Sequence, residues 1–108
     1  MRIKCLEKKI FIFKGTNAEI IIPSDIFESP YDVASGDSFS LQVIDYRDED
    51  KVILEKTITG GMTFEISPED TEELSVGFYR WNVKFTPENS SDIYEVIQPS
   101  VFHIKASE

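Results

Sequence analysis

Apolar side chains recur along this chain at every second position far more often than at every third or fourth, which is the period of half-buried β-strands. Ile10-Phe11-Ile12-Phe13 runs into Gly15, which suits a turn, and Ala18 to Ile22 forms a second β-branched run stopped by Pro23. Phe39, Leu41 and Val43 alternate with Ser40 and Gln42, Val52 to Leu54 continues toward Ile58, and Met62, Phe64 and Ile66 alternate with Thr63 and Glu65. The clearest strand is Tyr79 to Phe85, where Tyr79, Trp81, Val83 and Phe85 point one way and three polar residues the other. Asp92 to Gln98 and Val101 to Lys105 complete about eight short strands, with turns at the spacing of a β-sandwich or barrel.

The separators refine that picture. Gly60-Gly61 suits a tight hairpin, because glycine tolerates positive φ. Pro99, between the last two runs, belongs at a strand edge or in a turn rather than in a central ladder. Ser67-Pro68-Glu69-Asp70 sets a capping hydroxyl before a proline at the first helical position, with acids in the first turn. One short helical turn is therefore expected near residues 68–74, and Ser24-Asp25-Ile26-Phe27 could hold another. No repeat, low-complexity tract or linker divides the 108 residues, so residues 1–108 form a single all-β domain.

Composition supports a real core, with 41% hydrophobic and 12% aromatic residues. Twenty acids against eleven bases give a net charge of −9 and a pI near 4.5. That surface repels phosphate backbones and anionic membranes, so the expected partners are proteins, with no nucleic acid and no membrane. Cys5 is the single cysteine, so no intramolecular disulfide can form. The basic start of the chain, with its short Ile10–Phe13 apolar run closed by Lys14, is not a signal peptide, and nothing approaches a membrane span.

Candidate chemistry is sparse. Asp45, Asp48, Glu49 and Asp50 crowd one connection, and Asp45, Asp48 and Asp50 are the weak metal candidates. Their spacing is irregular, Arg47 intrudes and no bend glycine or distal glutamate completes a calcium loop, so a solvated charged turn is the preferred reading. One His and one Cys supply no transition-metal spacing, and His103, between Phe102 and Ile104, should face away from both. There is no G-x-S-x-G elbow, no oriented nucleophile–base pair and no phosphate loop, so no enzyme and no cofactor are expected. Most aromatic residues sit at inward-alternating positions. Tyr31 and Tyr46, in loops, are the ones expected to be exposed and are the candidate ligand-binding rings.

Pro68-Glu69-Asp70-Thr71, Leu74 and then Gly77, Tyr79, Trp81 and Val83 form a P-E-D-T…L…G-x-Y-x-W-x-V pattern. It resembles the corner of immunoglobulin-like domains, where a turn carrying Asp leads into a Y-x-C strand and the tyrosine hydroxyl braces the turn. Trp81 stands in the place of that cysteine. The pattern is more closely similar to small β-sandwich modules of phage and prophage tail proteins, including the N-terminal domains of baseplate upper proteins. Gly15-Thr16, Ile20 to Ile22, and the final Phe102 and Ile104 extend the likeness. The resemblance implies an immunoglobulin-like antiparallel β-sandwich of about seven to eight strands, with Ser67, Asp70, Gly77, Tyr79 and Trp81 as structural residues. It also implies a non-enzymatic assembly role in a phage-like tail or baseplate, in the virion or the bacterial cytoplasm, with homo-oligomers or other virion proteins as partners. The alternative is a carbohydrate- or ligand-binding module that uses its loop aromatics.

Overall fold

The computed structural model describes residues 2–106 and arranges the alternating runs as seven strands. They are β1 (Ile10–Phe13), β2 (Ala18–Ile21), β3 (Ser38–Asp45), β4 (Val52–Thr59), β5 (Thr63–Ile66), β6 (Gly77–Thr86) and β7 (Tyr94–Lys105). A 3₁₀ turn spans Ser24–Ile26 and a short helix, α1, spans Pro68–Glu72. No helix among the described residues is long and apolar enough to cross a membrane.

Five strands form a mixed sheet in the order β1-β7-β6-β3-β4, and β2 pairs with β5 in a separate antiparallel sheet. The expectation of a purely antiparallel protein is corrected at one place: β1 runs parallel to β7, from Ile10 opposite Phe102 to Phe13 opposite Lys105. A parallel pair needs a long connection between its strands. Here nearly the whole domain lies between them.

The fold departs from the sequence expectation at two further points. The last two runs are one twelve-residue strand, so Pro99 lies within β7, which has β1 on one side and β6 on the other. The β6–β7 register slips between Trp81 and Val83, while the named β1 pairing begins only at Phe102. Pro99 therefore sits at a bulge, where its missing N–H breaks no ladder bond. Gly60-Gly61 does not make a hairpin, because β4 and β5 belong to different sheets. The Gly60 N–H continues the β3–β4 ladder by one bond to the Asp37 carbonyl (2.8 Å), and the glycine then turns the chain away at a φ of +77°. The Ser35 backbone would lie 3.3 Å from any Cβ there.

Both sheets share one hydrophobic cluster. Phe39, Leu41 and Val43 of β3, Val83 and Phe85 of β6, and Phe64 and Ile66 of β5 are buried, as their alternation requires. Trp81 is 2% exposed, and its indole N–H donates to the Lys8 carbonyl at 2.7 Å. That bond ties the N-terminal segment across the bulge, together with Leu6 N–H to the Val96 carbonyl (2.9 Å) and Lys8 N–H to Ser100 Oγ (3.1 Å).

The capped turn forms where Ser67 and Pro68 predict it. The Ser67 N–H donates to the Asp70 carboxylate at 2.8 Å, and the Lys56 ammonium pairs with the same oxygen at 2.8 Å. Thr71 is buried and accepts from the Gly15 N–H at 2.9 Å, so the helix is fastened to the turn after β1. Gly77 opens β6 at a φ of +149°, and the Tyr79 hydroxyl donates back to the Ser75 carbonyl at 2.7 Å. The bracing bond that the sequence pattern implies is therefore present.

A second polar knot closes the opposite end of the large sheet. Asp37 is 1% exposed; its carboxylate accepts from the Tyr31 hydroxyl, from Ala34 N–H (2.8 Å) and from Glu88 N–H (2.6 Å). Burial pushes its carboxyl up, but these hydrogen bonds outweigh burial and hold it below the ordinary value. Burial likewise raises Asp70, and Lys56 with the Ser67 N–H brings it below the usual range. The unfolded chain restores both carboxyls to about 3.9 and so binds more protons in acid. Their stabilisation is complete above that value and is lost as pH falls through the lowered folded-state values. The melting temperature should be level from about pH 7 to 5 and drop below about pH 4; a melting temperature unchanged down to about pH 2.5 would contradict this. The same Asp37 bond, with burial, holds the Tyr31 phenol up to about 12, so its contribution is lost only as pH rises above about 10.

Candidate functional site

Alternation decides which aromatic rings face water. In β1, Ile12 is buried, so Phe11 and Phe13 turn outward and are 54% and 46% exposed. In β6, Tyr79, Trp81, Val83 and Phe85 take the inner side, which leaves Phe78 outward and 60% exposed. Register brings these rings together. His103 of β7 stands between Phe11 and Phe78 on the neighbouring strands and stacks on Phe78, with centroids 4.2 Å apart and planes at 18°. Phe11 and Phe13 meet edge to face at 5.8 Å, and the Lys105 ammonium lies 4.0 Å from the Phe11 centroid. The result is a continuous aromatic row across the outer face of β1, β7 and β6.

The row continues to the β3–β4 hairpin. Tyr46, 45% exposed, borders an open depression with Arg47, Phe78 and Val101. The Arg80 guanidinium sits 4.9 Å from the Tyr46 centroid and bonds Glu49 at 3.2 Å. The Arg side chain thus fills the strip between tyrosine and sheet.

The hairpin acids turn inward on their own backbone. Asp45 Oδ1 accepts from Arg47 N–H (2.8 Å) and Asp48 N–H (3.3 Å), and Asp48 Oδ1 accepts from Asp50 N–H (3.1 Å). Asp45, Asp48 and Asp50 therefore act as turn-forming acceptors. Among the described residues no three His, Cys, Asp or Glu side chains converge as a metal site.

Tyr31 differs from the expectation of an exposed ring. It is half-buried, packs on Phe27 at 4.6 Å between centroids, and has its hydroxyl committed to Asp37. It lies at the start of β3 and Tyr46 at its end, about 25 Å apart along an eight-residue strand, so the two rings make no common platform. Phe11, Phe13 and Phe78 were not singled out from the sequence, although the signal was there. Phe78 falls on the Arg80–Asn82 side of its strand, and either the Ile10/Ile12 pair or the Phe11/Phe13 pair had to face outward.

A separate open depression, bordered by Glu19, Lys56, Glu65 and Ser67, has its one cation engaged by Asp70. Cys5 is exposed as a free thiol, and burial with the nearby Glu95 charge pushes it above its usual value, away from thiolate reactivity. The residues that stand out from the ordinary surface are thus the outer aromatic row and the charged groups bordering it. Compared with protein-family models, with curated proteins and with solved structures, the chain matches none.

Proposed function

We propose that this chain is a non-enzymatic assembly module that docks on protein through the aromatic outer face of β1, β7 and β6. The observation that carries the reading is the row Phe13–Phe11–His103–Phe78, whose three phenylalanine rings are between 46% and 60% exposed. Three such rings leave roughly 300 Å² of aromatic surface, comparable to the largest apolar patch of a typical monomer, which is often functional. The strand order β1-β7-β6-β3-β4 opposite β2-β5, together with the Tyr79–Ser75 brace, supports an immunoglobulin-like sandwich whose disulfide position is taken by Trp81. The sequence pattern alone carries the setting we propose, a phage-like tail or baseplate, in a virion or in the cytoplasm of its host, with protein partners and neither nucleic acid nor membrane.

The test is co-expression with the products of adjacent genes. A stoichiometric complex with one of them is expected, and Phe78→Asp should abolish it while lowering the melting temperature by only several degrees, the loss of its stacking on His103. The second reading, a glycan-binding module, is favoured by the Tyr46–Phe78 depression alone. Saturable glycan binding that Tyr46→Ala removes, with no complex formed, would replace the assembly reading.

A further inference from the structure

Charge is unevenly divided along this chain. Five of its eleven bases (Arg2, Lys4, Lys8, Lys9 and Lys14) but only Glu7 of its twenty acids fall in the first fourteen residues, which include β1. The remainder holds nineteen acids against six bases. Among the described residues the ion pairs are Arg2–Glu28, Lys56–Asp70 and Arg80–Glu49, so Lys105, whose ammonium lies over the Phe11 ring of the aromatic row, has no acidic partner, and neither do Lys9 and Lys14, which flank β1 in sequence. At the other end of the same face stands the β3–β4 hairpin, where Asp45, Asp48, Glu49 and Asp50 outnumber Arg47 and Lys51. The face therefore reads cationic, aromatic and acidic in turn, over about 19 Å from β1 to β4 at the usual strand spacing.

Such an arrangement is self-complementary about a two-fold axis, since a half-turn lays the cationic end of one copy over the acidic end of the other and stacks the two aromatic centres. We infer that the outer face docks on a second copy of this chain as an isologous dimer, with Lys105 of each protomer meeting the Asp48–Asp50 hairpin of its partner. This rests on reading the outer face as a docking surface. The apolar centre, roughly 300 Å² per copy before the charged ends are counted, is below the roughly 800 Å² of a standard interface, so the dimer should be weak, with a dissociation constant on the order of micromolar. A single charge reversal at either end should weaken it about tenfold.

Sedimentation equilibrium of the full chain from about 5 to 200 µM, at low and at high salt, tests this. A monomer–dimer equilibrium that salt weakens is expected. Phe78→Asp should give monomers, and Lys105→Glu and Asp50→Lys should each weaken the dimer. The double variant should recover most of the affinity, because both contacts reform with signs exchanged. Circular dichroism melts of all four should stay cooperative, with midpoints within several degrees of the parent protein. Monomers at every concentration, growth beyond the dimer, or a double variant no tighter than the singles would overturn the inference. A monomeric chain that still forms a Phe78-dependent complex with a neighbouring gene product would sink the dimer alone and leave the docking face standing.

Discussion

Trp81→Ala is expected to destabilise the domain by about 4 kcal/mol, the cost of removing a large aromatic side chain from a packed core. Trp81 is the largest fully buried side chain, and its indole N–H is the bond that fastens Lys8 over the β6–β7 bulge. Alanine leaves a cavity beneath the N-terminal segment and strips the Lys8 carbonyl of its partner, so lost transfer energy, lost packing and a broken hydrogen bond act together. With total stability near 5–15 kcal/mol for a domain of this kind, the variant would lose about a quarter or more of it. Trp81→Phe separates the terms. The ring still fills much of the space while the N–H is gone, so about 1–2 kcal/mol is expected. Urea denaturation of the three proteins measures both values, and a Trp81→Ala cost under about 1 kcal/mol would mean that the site is not the keystone described.

Asp37→Ala should cost about 3 kcal/mol, through a different mechanism. The substitution leaves little cavity, but it orphans three donors at once: the Tyr31 hydroxyl and the Ala34 and Glu88 N–H groups. Those donors belong to two separate loops, so the carboxylate is the piece that holds the 29–37 and 87–91 connections together at one end of the sheet. Asp37→Asn keeps one acceptor oxygen and should fall between the parent and the alanine variant. It also removes a titrating group whose folded-state value is lowered, so its melting temperature should fall less steeply below about pH 4. An Asp37→Asn protein with an unchanged acid profile would show that another group carries the acid sensitivity.

These two sites also mark what a reader of the sequence could and could not see. Trp81 was legible, because the Tyr79–Phe85 alternation declares its face and the G-x-Y-x-W pattern marks its neighbourhood. Ser67, Pro68 and Asp70 were legible for the same kind of reason: capping is local chemistry, acting within four residues. Asp37 was not, since nothing local says that a carboxylate beside Gly36 will be buried under Tyr31. The parallel β1–β7 pair was also hidden, because period-two patterning gives a strand's faces and not its neighbours. Pro99 misled for a related reason. A proline argues against a regular central ladder, but it fits a bulge in one, and bulges depend on the partner strand's register. The Gly60-Gly61 pair announced a turn correctly, although the turn leads from one sheet to the other.

Of the candidate site, the loop tyrosines were half right. Tyr46 is open and borders the depression beside Phe78, whereas Tyr31 spends its hydroxyl on the fold. The larger feature lay in strands rather than loops. Large aromatics in a strand are by default assigned to the core, and Phe11, Phe13 and Phe78 break that default only because the inner face is already filled by Ile12, Tyr79 and Trp81. A strand that is apolar on both faces needs a cover on each, and here the described chain supplies only one.

The central claim is that this uncovered face is the docking surface. Two-dimensional ¹H–¹³C NMR of the aromatic side chains, recorded at rising protein concentration and then with a co-purifying gene product, tests it directly. Phe11, Phe13, Phe78 and His103 should shift together along one binding curve while the buried Phe39, Phe64 and Phe85 stay still. Shifts confined to Tyr31 and the Asp37 end, or an aromatic row that never moves, would contradict the account.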